Sequence, residues 1–161
     1  MHTSHEITTS VSVPVLSISP ILEDHCALQV ILRRLRSAMD PNCIFTVHPC
    51  TTLAAALAAL PKQQFEVVVC ERDLQPGSWK DVLEQAVILP DPPSFIVTSR
   101  LADEHLWAEA LNLGAFDVLT TPFDHAETTR VLVAAWRAWG GAARRPARRE
   151  RCKVAAAAHM W

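Results

Sequence analysis

Residues 65–77 read FEVVVCERDLQPG: a short apolar run followed by a polar loop that closes on proline and glycine. Three consecutive valines favour an extended backbone, because β-branched side chains pack well on a pleated surface. A run this apolar, with no polar alternation from Val67 to Cys70, suits a strand covered on both faces, as in the middle of a parallel sheet. Phe65–Cys70 is therefore predicted as a strand, with Glu71 at its carboxyl end. In open parallel α/β sheets that end faces the crevice where ligands bind and chemistry is done.

Working outward from this strand, the same unit recurs. Val13–Ile18, Cys43–Val47, Ser94–Val97 and Phe116–Leu119 are further short apolar runs, and each leads into a stretch with helical features. Leu22 to Met39 carries apolar residues at Leu22, Cys26, Val30, Leu32, Leu35 and Met39, a spacing that predicts one face of a helix. Thr51 or Thr52 can cap a helix over Leu53–Leu60, stopped by Pro61. A helix is expected from about Ser78 to Val87, another over Ala102–Leu113 ended by Gly114, and a last one from a cap at Asp124 to Trp139. Five βα units predict a single doubly wound α/β domain over residues 13–139. The strand ends then bring Ser19, His48, Glu71, Thr98 and Thr121 to one edge.

The composition fits that reading. Half of the 161 residues are apolar and a fifth are charged, an ordinary globular balance. No apolar run is long enough to span a bilayer, and the N-terminus lacks the basic and apolar regions of a signal peptide, so a cytoplasmic protein without membrane contact is expected. Five cysteines without a CxxC pair suit reduced thiols. Residues 1–12 are polar and expected to be flexible. Residues 140–161 carry six basic side chains against Glu150, a net of +5, which leaves −7 for the rest of a chain whose net charge is −2. Pro146 forbids a continuous helix in this tail, which is expected to be disordered unless bound.

No glycine-rich phosphate loop is present; neither GxGxxG nor GxxxxGK[ST] occurs, which disfavours a nucleotide fold. Three stretches together are more specific: the loop ERDLQPG at 71–77, SFIVTS at 94–99, and LGAFDVLTTPF at 113–123. With the order of elements, they resemble the CheY-like receiver domain of bacterial response regulators over roughly Val13 to Trp139. The resemblance implies a flavodoxin-like sheet of strand order 2-1-3-4-5. It also implies a cis peptide bond at Thr121–Pro122.

In that family a kinase passes a phosphoryl group to an aspartate at the end of the third strand, beside a Mg²⁺ held by acidic residues that follow the first. A lysine and a hydroxyl neutralise and bind the phosphoryl oxygens, where charge accumulates. Carried onto this chain, the aspartate position is Glu71, the acidic pair falls on Ser19 and Pro20, and the phosphoryl-contact positions are Thr98 and Thr121. Only Thr98 matches. The sequence therefore reads as a degenerate receiver, or pseudo-receiver, in a phosphorelay pathway, with no Mg²⁺ expected and no catalysis of its own. Glu23 and Asp24 are expected about a turn into the first helix, too far along to rebuild the metal site. Two readings of Glu71 remain: a built-in mimic of the charged state held by Thr98, or a solvated strand-end residue. The missing lysine favours the second, unless Arg72 or Arg100 leans over the edge. Thr98 itself can serve as a purely structural hydroxyl.

With no DNA-binding output domain in this sequence, output is expected to pass through protein contacts: a histidine kinase, an output protein or a second copy. Trp107, Val118 and Trp139 are the expected interaction surface, while Trp136 with Leu132 and Val133 suits packing on the sheet. The alternatives are a working phosphoacceptor using Glu71 or Asp73, and nucleic-acid binding by the arginine-rich tail, which the lack of interleaved aromatics disfavours. A zinc site from His25, Cys26, His48, Cys50 and Cys70 is weaker still, because their spacings are not those of zinc modules. Cys50, just before a helix, is the one candidate for a reactive thiolate.

Overall fold

A computed structural model describes residues 10–35 and 42–140. The expected flexible N-terminus and the basic tail lie almost wholly outside the described residues. Five strands and five helices alternate: β1 (Val11–Ile18), α1 (Leu22–Leu35), β2 (Cys43–Cys50), α2 (Leu53–Ala59), β3 (Val67–Glu71), α3 (Trp79–Val87), β4 (Ser94–Ser99), α4 (Glu104–Leu113), β5 (Asp117–Thr120) and α5 (His125–Trp139). The strands form one parallel sheet in the order β2-β1-β3-β4-β5. This is the doubly wound flavodoxin-like topology expected.

The alternation of strand side chains divides the core in two. Leu16, Ile18, Val68, Cys70, Phe95, Val97 and Val118 face α2, α3 and α4, where Trp79, Val82 and Leu106 close over them. Val13, Val15, Val67, Val69, Ile96 and Leu119 face α1 and α5, against Leu28, Ile31, Leu132 and Trp136. Local chemistry sets the helix limits. Thr52, Ser78, Asp103 and Asp124 each accept a backbone N–H of the first turn, and Gly114 and Gly140 end α4 and α5 with φ of 104° and 117°. The Thr121–Pro122 bond is cis as expected, and so is Gln75–Pro76.

Three expectations need correction. The first concerns α1. The stripe read from Leu22, Cys26 and Val30 is turned to solvent, with Leu22 66% and Val30 45% exposed, and Cys26 is exposed too. The buried face is Asp24, His25, Leu28, Ile31, Leu32 and Leu35. The helix thus buries two polar residues at its start because partners on β1 and just beyond it receive them. Secondly, His48 lies within β2 and not at its end, since that strand continues to Cys50. Thirdly, Val118 and Trp139 are buried, 6% and 4% exposed, so they cannot form an interaction surface. Val118 belongs to the core under α4, and Trp139 closes the last turn of α5 onto the domain. Trp107 stands outside, half exposed, its indole N–H reaching Asp117 Oδ1 at 3.3 Å. Trp136 packs with Leu132 and Val133 as expected, edge-on to Phe45.

Candidate functional site

The register lines up the candidate residues on the α1/α5 side of the sheet. Ile18 pairs with Cys70 and Glu71 with Thr98, so Ser19, Glu71 and Thr98 stand side by side at the ends of three adjacent strands. Their side chains share a face because each lies one step past a residue that points the other way. Thr121 extends the row beyond β5, its N–H donating to the Ser99 carbonyl. All four are buried, between 2% and 7% exposed. Thr121 Oγ1 has no hydrogen-bond partner among the described residues.

Glu71 is the centre of this row. Thr98 Oγ1 donates to its Oε2 at 3.2 Å, and the Asp73 N–H donates to its Oε1 at 3.5 Å. Burial pushes its carboxyl above the usual carboxylate range; the two hydrogen bonds oppose this, and the nearby carboxylates of Asp24 and Asp73 add to the rise. The solvated reading of Glu71 is therefore corrected: the side chain is enclosed, and its acceptor oxygens are directed at Thr98 and the Asp73 N–H. Neither suggested cation forms an ion pair with it, although the Arg72 charge interacts with Glu71 over the pocket edge. Arg72 is paired with Asp73 at 3.0 Å, and Arg100 is exposed. Among the described residues no lysine or arginine forms an ion pair with Glu71.

Asp24 is the residue that sequence reasoning misplaced. Placed a turn away, it is in fact folded back over the strand ends, where Ser19 Oγ donates to its Oδ2 at 2.9 Å. The Ile21 N–H donates to Ser19 Oγ, which tightens the turn between β1 and α1. His25 sits just below, its Nδ1 2.7 Å from Ser17 Oγ and its Nε2 2.9 Å from the Ser19 carbonyl. A carbonyl can only accept, so Nε2 donates to it, and in the neutral ring Nδ1 is left to accept from Ser17. Ser17, Ser19, Asp24 and His25 thus satisfy one another in a closed network. The available signal was the pairing of two strand-end serines with polar residues at helix positions one turn in.

The shallow pocket over this edge, about 280 Å³, is bordered by Pro20, Ile21, Glu71, Asp73, Arg72 and Arg100. Mg²⁺ would need several carboxylate oxygens in octahedral array. Ser19 and Pro20 offer none; of the nearby carboxylates, Asp24 accepts the Ser19 hydroxyl on Oδ2 and Glu71 that of Thr98 on Oε2. Among the described residues no three His, Cys, Asp or Glu side chains converge for a metal ion. The donor set does not fit the ion.

The zinc candidates are scattered. Cys26 is exposed on α1, His48 leans on Gln63 and Phe65 at β2, and Cys70 is in the core. Cys50 is half-buried, and burial raises its thiol, the opposite of what a thiolate needs. Cys70 is raised as well, by burial and by the Glu71 charge.

No protein-family model and no curated sequence matches the chain. Solved structures match it well. The signal receiver domain of an HD domain-containing protein from Pseudomonas fluorescens is 22% identical, with a TM-score of 0.60, over 80% of this chain and 98% of that one. The fold is that of response-regulator receiver domains. The chemotaxis response regulator CheY4 of Vibrio cholerae superposes with a TM-score of 0.66 at 13% identity, covering 78% of this chain and 99% of its own. The receiver domain of a Francisella response regulator gives 0.56 at 20% identity, over 78% and 98%. At these identities the likeness establishes the receiver fold alone; Glu71 is the last residue of the central strand β3.

Proposed function

We propose that this chain is a receiver-like signalling module of the two-component type that does not accept a phosphoryl group by the aspartate–Mg²⁺ route and acts through protein contacts. The observation that carries the reading is the buried Glu71–Thr98 hydrogen bond, with no cation paired to Glu71 among the described residues. An acyl-phosphate acceptor needs a carboxylate that the donor can approach and positive charge to offset that of the phosphoryl oxygens. Glu71 is enclosed, bordered by Asp24 and Asp73, and pushed toward its neutral form. In the Ser17–Ser19–Asp24–His25 network the single carboxylate, Asp24, has its Oδ2 engaged by Ser19.

In this reading the module turns over no substrate. Its partner is a signalling protein of a cytoplasmic bacterial pathway, a kinase or an output protein, and a second copy is the homodimeric variant. The surface offered is the exposed start of α4, where Trp107 and Leu101 are 50% and 72% exposed. Aromatic residues of this kind dominate binding hot spots.

The test is incubation of the protein with acetyl phosphate and Mg²⁺, followed by intact mass measurement. The expected spectrum shows no phosphoryl adduct. A stoichiometric adduct mapped to Glu71 or Asp73 would establish the phosphoacceptor alternative instead.

A further inference from the structure

A groove away from the strand-end site runs between α3 and α4. Its volume is about 610 Å³, and its floor is formed by Leu83, Val87, Ala108 and Leu113. Val87 and Leu113 are each about half exposed, and Ile88, next to the lower end of the groove, is 73% exposed. Two exposed large apolar side chains thus line one groove, and a third, Ile88, follows Val87 in the chain. A concentration of this kind marks a surface made for contact. Two carboxylates, Glu84 and Glu109, border it against one lysine, Lys80, which pairs with Glu109. The lining is apolar with an acidic margin.

We propose that this groove is the seat of the chain's own segment Val154–Trp161. That segment reads VAAAAHMW, with one polar side chain in eight, and it follows directly on the six basic residues between Arg144 and Lys153. The sequence therefore supplies the complement of the groove: an apolar stretch with a cationic lead. The body it would meet is acidic, −7 against the tail's +5. Reach is sufficient. α5 ends at Gly140 at the same end of the sheet as Val87 and Leu113, because all five helices run antiparallel to the strands. Crossing from the α5 layer to the α3/α4 layer takes two sheet–helix spacings of about 10 Å each. The 13 residues from Gly141 to Lys153 span up to ~43 Å when extended. Attachment through so short a tether gives the segment a millimolar effective concentration at the groove, so even a weak apolar contact is populated.

The test uses two cysteines the chain already has. Cys152 lies two residues before the segment. Cys26 is exposed on α1, on the opposite face of the sheet, and serves as an internal control. In the full chain carrying Asn112→Cys, at the exposed margin of the groove, mild oxidation of dilute protein is followed by non-reducing electrophoresis and peptide mass mapping. The expected product is a monomer with Cys152 joined to the introduced thiol. Adding Leu113→Glu, an exposed position whose change leaves the core intact, is expected to lower that yield several-fold. Cys152 joined equally to Cys26, a yield unaffected by Leu113→Glu, or a disulfide formed only between two chains would each overturn the proposal, the last by placing the segment on a second copy.

Discussion

Replacing Glu71 by glutamine removes one negative charge from a site that the structure shows to be short of compensation. The carboxylate is 7% exposed and receives one hydroxyl at 3.2 Å and one backbone N–H at a marginal 3.5 Å, with Asp24 and Asp73 nearby and no cation paired to it among the described residues. The better of the two bonds survives the change, because the amide oxygen of the Glu71→Gln variant can still accept from Thr98. The weak bond from the Asp73 N–H is lost, and the amide nitrogen can face the neighbouring carboxylates. Burying an incompletely paired charge costs more than one neutral hydrogen bond returns, so the substitution is expected to stabilise the fold at neutral pH by about 1 kcal/mol. In a chain of this size that raises the melting temperature by about 2–4 °C. The pH dependence supplies the sign. The folded-state pKa of Glu71 lies above its unfolded value, so its contribution to stability is most favourable at low pH and declines as pH rises through the folded pKa. The advantage of Glu71→Gln must therefore shrink as pH is lowered toward the ordinary carboxylate range, because the native side chain takes up its own proton. Urea unfolding of both proteins at pH ~7.5 and at successively lower pH measures this. A glutamine variant less stable than the parent at neutral pH, with a deficit that narrows on acidification, would falsify the account and reveal a positive partner for Glu71.

The other expectations follow from burial and backbone geometry. Trp107→Ala, at an exposed site, should change stability by less than about 0.5 kcal/mol while weakening partner capture, whereas Trp139→Ala, at a buried one, should cost about 3–5 kcal/mol in the same urea titration. Gly77 has φ of 96°, and an added Cβ would collide with Leu53 Cδ2; Gly114 has φ of 104° but open space around it. Gly77→Ala is thus expected to destabilise more than Gly114→Ala, which should lose only about 1 kcal/mol through backbone strain, and equal losses by thermal melting would contradict this. Ser17→Ala leaves His25 Nδ1 buried without its donor and should cost about 1–3 kcal/mol, again read by urea unfolding. Among the four described cysteines, iodoacetamide should label Cys26 fastest, Cys50 slowly and Cys43 and Cys70 only on unfolding, as mass mapping over a time course would show.

The outline of this fold was legible because its signals are local. Valine-rich runs, capping residues and the glycines after α4 and α5 mark where elements begin and end, and their alternation prescribes a parallel sheet. The residue types at the strand ends, Ser19, Glu71, Thr98 and Thr121, were legible, but the return of the Asp24 carboxylate to that edge was not. The orientation of α1 was not legible. Leu22, Cys26 and Val30 form as good an apolar stripe as the one actually buried, and the choice between the two faces was made by Ser17 and Ser19, which receive His25 and Asp24. Val118 and Trp139 failed for the same reason, since a residue's position in an element does not say which neighbour covers it.

The amino-acid sequence alone determined the order of elements, the edge at which their ends meet and the chemical groups present there, because each depends on residues close together along the chain. Tertiary structure alone decided that Glu71 is enclosed and turned to Thr98, that Asp24 returns to the strand ends, and that Trp107 faces outward while Trp139 does not. These outcomes depend on how helices settle on the sheet, a sum of many distant contacts in which each polar group must also find its partner.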